Sequence, residues 1–308
     1  MSPLTQPRSI SLPKARATPH GLLTAPATWL LAPALLFLVV FLMAPLAGVL
    51  QLSFFTHSAT GLWLRELTTA NYLQAFDSYY AQIFIRSIRI AGLSTLFCVI
   101  LGYPLAYYLA RCSPRALSIG LFLLIVPLMV STVIRAFGWF IIIGKNGLIN
   151  QALRGISPDF GIDVIYTETA VIIGLVQLVL PMMVLPLMAS IETIPMEVEE
   201  AGFNLGCGVW SLFRKVLLPL STQGLISGSI LCFSVSISVV VTSQLLGGRW
   251  GRMIGNEIYD QVITGLNWPF ASALSISLIG GLLALFAISA VMRRSLVAAG
   301  KGRGDAAG

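Results

Sequence analysis

Residues 197–220 read EVEEAGFNLGCGVWSLFRKVLLPL and separate two long apolar segments of the chain. Pro195 suits the first turn of a helix. Three acidic residues, Glu197, Glu199 and Glu200, place negative charge near the positively polarised N-terminal end of that helix. The insert is therefore predicted to begin with a short helix. This helix is too short to be stable alone, and it is more elaborate than a plain link requires.

The pattern within this insert predicts a helix, a bend and a second helix. An apolar stripe at helical spacing runs along the first helix and contains Val198, Ala201, Gly202 and Leu205. Ala201 and Gly202 make the stripe flat, because their side chains are the smallest of the set. Gly206 and Gly208 are expected to break the first helix, and Pro219 is expected to end the second.

The second helix carries bulky side chains on one face. Trp210, Phe213 and Leu217 follow helical spacing, and the cationic Arg214 and Lys215 fall in its last turns. Two interpretations are open at this point. The insert is either a hairpin that lies on a bilayer surface or a docking element for a soluble partner, with Trp210 and Phe213 as its anchor.

The composition indicates that lipid surrounds most of the chain. Of the 308 residues, 56% are hydrophobic and 10% are charged, whereas a soluble domain has about 25% charged residues. Six apolar segments are long enough to cross about 30 Å of hydrocarbon. They are 28–52, 88–110, 116–143, 169–191, 224–246 and 270–292. The predicted fold class is an all-α membrane protein with about six transmembrane helices.

The positions of the basic residues predict an orientation. Of the 19 Lys and Arg residues, eleven fall in connections that would be inside if the N-terminus is inside, seven fall outside, and Arg135 lies within a predicted span. Both termini are therefore expected to be cytoplasmic. Residues 1–27 are expected to form a disordered cytoplasmic tail, 28–292 the membrane domain, and 293–308 a second cytoplasmic tail.

This chain lacks the residues that several classes of protein function require. The net charge of +7 is spread over the connections and forms no basic stripe with interleaved aromatic residues, so nucleic acid is not expected as a partner. His20 and His57 stand alone, and no metal-ligand spacing or paired catalytic groups occur in the sequence. The chain is not expected to be an enzyme, to hold a metal or to bind a cofactor.

Arg135 is the one charged residue inside a predicted span, where it should cost at least about 2.5 kcal/mol if it faced lipid. One interpretation is structural: the side chain reaches the headgroups or bonds carbonyls exposed by a break at Gly138. The other is functional: Arg135 lines or gates a pathway, with Trp139 one turn further on the same face.

The insert resembles the EAA loop of binding-protein-dependent ABC importer permeases. That pattern reads E-A-A, three residues, G, and later I-x-L-P. This chain has Glu200, Ala201 and Gly202, then Gly206, and VLLP at 216–219. It departs from the pattern at Gly202, where the family has Ala, and at the first residue of VLLP, where the family has Ile.

A wider likeness points to one branch of this family. Five segments look like the spermidine/putrescine-type permeases, and in particular the first of the two paired permeases; they are 71–73, 86–110, 126–150, 245–248 and 267–274. The resemblance implies a type I importer bundle in the bacterial inner membrane. It also implies that the solute, most plausibly a polyamine, is delivered by a periplasmic binding protein.

The resemblance further implies a division of labour among subunits. Two copies of a separate ATPase would bind ATP, since this chain has no phosphate loop of the form G-x-x-x-x-G-K-[ST], and a second homologous permease would complete the membrane part. The coupling loop would cover about 192–220. The residues assigned to it are Glu200, Ala201, Gly202, Gly206, Trp210 and Pro219.

The alternative function is an ion-coupled secondary transporter. Such a carrier normally uses carboxylates buried within its spans. All 12 Asp and Glu residues of this chain fall in predicted connections or tails. The sequence therefore favours the ATP-driven importer.

Overall fold

The chain folds almost entirely into helices. The structure, a computed structural model, describes residues 26–58, 63–156 and 161–304. Its elements in chain order are α1 (Pro26–Leu52), β1 (Phe55–Thr56), β2 (Leu64–Leu67), α2 (Ala70–Ala75), α3 (Ser78–Arg111), α4 (Pro114–Met129), α5 (Thr132–Ile143), α6 (Leu148–Ile156), α7 (Glu168–Glu192), α8 (Met196–Asn204), α9 (Val209–Leu212), a π-helical segment (Phe213–Leu217), α10 (Leu218–Leu220), α11 (Thr222–Ser238), α12 (Val241–Gly247), α13 (Ile254–Ile263) and α14 (Trp268–Gly304).

The structure describes only part of the two predicted tails. The expected disordered tail at 1–27 lies outside the described residues, except that α1 already begins at Pro26. At the other end, the sequence predicts that the last span stops at residue 292 and that a tail follows. The backbone of α14 is helical from Trp268 to Gly304, so it includes part of this predicted tail.

The chain divides into two compact units, Met1–Val49 and Leu50–Gly308. The described part of the first unit, residues 26–49, belongs entirely to α1. The segment Ala32–Leu52 has a mean hydropathy of 2.5 and is long enough to cross a membrane. Pro45 lies inside this segment without ending the helix.

Within the described residues, five segments are long and apolar enough to span a membrane. They are Ala32–Leu52, Ser78–Arg111, Thr132–Gly155, Glu168–Glu192 and Trp268–Ala287. A sixth span results if Val209–Leu220 and Thr222–Ser238, which meet at an angle of 72°, are counted as one bent span. This range of five to six agrees with the predicted number of about six.

Two predicted spans are broken in the structure. The segment 116–143 is divided into α4 and α5 by extended backbone at Val130 and Ser131. Pro127 lies just before this break, and a proline removes one helical hydrogen bond and crowds the preceding turn. The segment 224–246 is likewise divided into α11 and α12, since α11 ends at Ser238.

Helices α3, α7 and α11 pack together as the centre of the second unit. Small residues allow α11 to approach α7 closely. A methyl group built on Gly224 would lie 2.6 Å from the carbonyl oxygen of Pro186 and 3.0 Å from Cα of Leu187. Such close backbone contact is typical of helix pairs in membranes, where small residues form the interface.

The second unit has two ends, which we name the α8 end and the α13 end. Ion pairs at the α13 end join α3 to α7 and brace α13: Arg86 and Arg89 with Glu168, and Arg252 with Glu257 and Asp260. Burial lowers the pKa of Arg252, but the carboxylates of Glu257 and Asp260 act in the opposite direction and leave it above its ordinary value. The hydroxyl of Ser87 on α3 also accepts a hydrogen bond of 2.8 Å from the backbone N–H of Ile254.

The contact between α7 and α11 can be tested with Gly224→Ala. We expect this change to cost about 1 to 3 kcal/mol by overpacking, because the new methyl group would meet backbone atoms that cannot rotate away. The matched control is Gly92→Ala in α3, where a methyl group meets nothing within 4 Å. Thermal unfolding in detergent should show a lower midpoint for Gly224→Ala alone; equal midpoints for the two variants would contradict the close contact.

Candidate functional site

Helix α8 presents an acidic, largely exposed surface at its end of the second unit. It begins directly after Pro195, whose extended backbone (ψ 140°) leads into the first turn. Glu197 and Glu199 lie in this turn, where negative charge opposes the positive end of the helix dipole. Glu200 is exposed, as is Ala201 beside it. These two residues of the predicted coupling loop are therefore accessible to a partner.

The bend after α8 is a Schellman motif centred on Gly206. The N–H of Gly206 donates to the carbonyl of Phe203 at 2.9 Å, and the N–H of Cys207 donates to the carbonyl of Gly202 at 3.1 Å. Gly206 adopts a φ of +80°, which side chains disfavour. Gly208 has an ordinary φ of −69°. The sequence predicts a break at both glycines, but only Gly206 needs to be glycine for its backbone conformation.

Gly202 faces the interior, away from the exposed surface of α8. A methyl group on it would lie 2.5 Å from Cδ1 of Leu212 in α9. The sequence interpretation joined Gly202 and Ala201 in one flat docking surface, and the structure divides them. Ala201 and Leu205 are exposed, whereas Gly202 is buried so that α9 can pack against α8. Helical spacing shows only that these residues are close on one helix. It does not show which neighbouring helix each residue contacts.

The buried side of α8 carries a carboxylate that the sequence analysis did not single out. Glu199 is only 6% exposed. Its Oε1 accepts hydrogen bonds from Nη2 and Nε of Arg111 at 2.6 and 3.0 Å, and its Oε2 accepts one from the Tyr107 hydroxyl at 2.7 Å. Removing one partner of a buried pair like this costs about 3 to 5 kcal/mol, because the other charge is left unpaired. Arg111 directly follows the predicted span 88–110. An arginine at that position was the sequence signal that an acidic partner lies nearby.

A polar stripe on α3 contacts both ends of the loop. Tyr103, Tyr107 and Arg111 are spaced by four residues and so share one helical face. The Tyr103 hydroxyl lies 2.8 Å from the hydroxyl of Ser221, just beyond α10. Arg111 Nη2 also donates to the carbonyl of Ile194 at 2.8 Å, in the link before α8. The stripe therefore contacts the first part of the loop, at Ile194 and Glu199, and the residue that follows its last helix.

The second half of the loop is one helix with a wide turn in its middle. Proline has no backbone N–H, so Pro219 cannot donate a hydrogen bond to the carbonyl four positions earlier. The π-helical segment directly before Pro219 accommodates this missing bond with a wider turn. The sequence predicts that Pro219 ends the helix, and the helix ends one residue later, at Leu220, before the chain turns by 72° at Ser221.

The aromatic anchor predicted in this half is exposed. Trp210 is 72% exposed and stacks on Phe213, with ring centroids 5.3 Å apart. Phe213 in turn meets the edge of Tyr103 at 4.8 Å. These rings line an apolar groove of about 520 Å³ between α3 and the loop.

Arg135 and Trp139 lie together, as their spacing predicts, on a small cavity between α5, α7 and α12. Arg135 Nη2 donates to the hydroxyl of Thr132 at 3.2 Å. Among the described residues, none accepts a hydrogen bond from its buried Nε or Nη1. The helix is continuous at Gly138, so the interpretation that Arg135 bonds carbonyls freed by a break there is wrong. The cavity, about 10 Å³, is too small for a solute.

Comparison with known proteins identifies close relatives. The spermidine/putrescine transport system permease protein PotB of Haemophilus influenzae is 35% identical over 246 residues, which cover 78% of this chain and 85% of that protein. PotB of Escherichia coli is 35% identical over 242 residues, covering 78% and 88%. A search with models of protein families gives no match.

The fold has a counterpart among solved structures. A chain of a bacterial alginate ABC transporter, crystallised with a periplasmic protein bound to an alginate pentasaccharide, superposes with a TM-score of 0.71. The match covers 88% of this chain and 94% of the other at 16% identity. The predicted all-helical permease fold is confirmed. On its identity to the two PotB proteins, the chain belongs to the family of permease subunits of binding-protein-dependent ABC importers, and it is a multi-pass membrane transport subunit, not an enzyme.

Proposed function

We propose that this permease imports a polyamine such as spermidine or putrescine across the bacterial inner membrane, with both termini cytoplasmic. A periplasmic binding protein delivers the solute, a second homologous permease completes the path, and two copies of a separate ATPase bind ATP. The loop at 192–220 is the contact for the ATPase. Glu200, Ala201, Gly206 and Trp210 are its main residues, while Gly202 and Pro219 shape it from within.

The observation that carries this proposal is the rigid presentation of α8. A docking element has to expose a contact surface and still hold a fixed position on the spans. Helix α8 meets both needs, since Glu200 and Ala201 are exposed while Glu199 is paired with Arg111 on the opposite side. A hairpin that merely lies on the bilayer needs no buried ion pair, which favours docking over that interpretation.

The polyamine substrate is supported by the names of the two PotB relatives, and the ATP-driven mechanism is supported by the charges of the described residues. Among the described residues, the only buried carboxylates are those of Glu199 and Glu257. Both form ion pairs near the ends of the second unit. An ion-coupled carrier would need a carboxylate that is free to load and release its ion within a span. The ATP-driven mechanism therefore fits these residues better.

Reconstitution of the complete importer tests this function. The chain should be purified with the ATPase, second permease and binding protein encoded beside it, and inserted into proteoliposomes. We expect spermidine or putrescine, but not an alginate oligosaccharide, to bind the binding protein, stimulate ATP hydrolysis and enter the vesicles. Uptake that an ion gradient drives without ATP would favour the secondary carrier. Stimulation by the oligosaccharide alone would reject the polyamine.

The docking role of the loop can be tested with Gly206→Val. A β-branched side chain at a φ of +80° should cost at least about 1 to 2 kcal/mol and unwind the Schellman motif. We expect the variant to insert in the membrane but to lose the ATPase on co-purification. The matched control is Gly208→Val, where φ is −69° and space is open. Wild-type recovery of the ATPase with Gly206→Val would support the surface hairpin.

The role of Arg135 can be tested with Arg135→Ala. Because Nε and Nη1 lack acceptors, removing the guanidinium should not lower stability, and it relieves an unpaired charge that costs about 2.5 to 3.5 kcal/mol in a span. We expect normal assembly and thermal stability together with impaired solute uptake. The control is Ile134→Ala, at a neighbouring position that is 64% exposed. Normal uptake, or loss of stability, would assign Arg135 a structural role and end the gate proposal.

A further inference from the structure

Helix α8 is connected to the spans by three routes. Along the chain, it follows α7 after the short link 193–195, and it reaches α11 only through the bend at Gly206, α9, the π-helical segment and the turn at Ser221. Across space, Glu199 meets Arg111 of α3 directly, at 2.6 and 3.0 Å. The contact with α3 is therefore a direct side-chain route, although α3 is remote from α8 in the sequence.

The contact with α3 also fixes the direction in which α8 points. Each carboxylate oxygen of Glu199 has its own donor, Arg111 on one side and Tyr107 on the other. Arg111 simultaneously holds the carbonyl of Ile194, in the link between α7 and α8. Both members of the pair are largely shielded from water, with side-chain exposures of 14% and 8%. A shift of α8 must therefore move the end of α3 or break a desolvated ion pair.

Helix α3 continues to the opposite end of the second unit. Its 34 residues extend about 51 Å at 1.5 Å per residue. Ser87, which precedes Arg111 by about 36 Å along the helix, bonds the first residue of α13 at 2.8 Å. Arg89, close to Ser87, pairs with Glu168 at the start of α7. One helix thus joins the surface of α8 to the elements of the α13 end.

We propose that Arg111 and Glu199 are positioning residues that transmit the displacement of α8 to α3. Helix α3, which is not adjacent to α8 in the sequence, then carries the movement from the ATPase contact to the α13 end. This inference rests on the proposed function, because it requires that the ATPase binds at α8. It adds the specific link through which that binding acts on the spans.

The test uses the reconstituted complete importer with Glu199→Gln, which removes the charge and keeps the shape of the side chain. We expect the ATPase to co-purify, while hydrolysis stimulated by the solute-loaded binding protein, and uptake per ATP hydrolysed, fall about tenfold, within the usual range of coupling between two sites. Arg111→Glu should fail similarly, and the double variant Arg111→Glu with Glu199→Arg should recover much of the coupling. Arg115→Gln, which alters an exposed arginine four residues beyond Arg111, is the control and should match wild type.

A second, milder variant guards against loss of folding. Tyr107→Phe removes one hydrogen bond and leaves the ion pair, so it should show a smaller loss of coupling than Glu199→Gln. Equal coupling in wild type, Tyr107→Phe and Glu199→Gln would overturn the proposal. It would also be overturned if the variants yielded less folded complex with unchanged uptake per ATP, since that marks a purely structural pair. Failure of the proposed function is distinguishable, because then the wild-type permease itself would not retain the ATPase.

Discussion

Hydrocarbon offers no hydrogen-bond partner to a peptide group, and this constraint governs the whole fold. Helices satisfy it within one segment, which accounts for nearly every described element. Where the helix is interrupted after α10, side-chain hydroxyls add hydrogen bonds to the backbone carbonyls. At the turn after α10, Ser221 Oγ donates to the carbonyl of Leu217 at 2.7 Å, and Thr222 Oγ1 lies within hydrogen-bond distance of the carbonyls of Leu218 and Pro219. The sharp turn therefore leaves few backbone groups without a partner.

The same constraint confines charge to the two ends of the second unit. Glu199 and Glu257 are both buried, and each is paired with an arginine near one end of α3. Between these ends, the described spans hold one further guanidinium, that of Arg135, and it lacks a full set of acceptors. An apolar interior with charged ends allows helices to slide or tilt with little change in hydration. The cost of movement is concentrated in the ionic contacts that tie the ends together.

Composition and spacing predicted the features that depend on averages along the chain. The number of spans followed from hydrophobic length, and the bend at Gly206 followed from the position of a glycine after a helical stripe. The break at Val130 and the π-helical turn before Pro219 were not predicted, because local geometry and tertiary contacts decide how each proline is accommodated. Gly202 was assigned to the wrong side of α8 for a similar reason, since its neighbour Leu212 lies on the next helix.

Glu199 is the clearest example of a tertiary contact that residue spacing cannot predict. An acidic residue in a first turn is ordinarily a solvated helix-terminal charge, and the first turn of α8 contains two, Glu197 and Glu199. Only the arrival of Arg111, 88 positions away in the sequence, turns one of them into a buried group. The likeness to the EAA pattern locates the loop but does not indicate which carboxylate faces inward. Single-sequence reasoning has no access to a pairing of this range.

The three hydrogen-bonded points on α3 have a thermodynamic consequence for association. Because Tyr103, Tyr107 and Arg111 already bond to Ser221, Glu199 and Ile194, both ends of the loop are fixed before any partner arrives. Association usually loses free energy to the ordering of mobile loops and side chains, and a preorganised surface avoids much of that loss. The ordering that remains is that of exposed side chains such as Leu205, Val209 and Trp210.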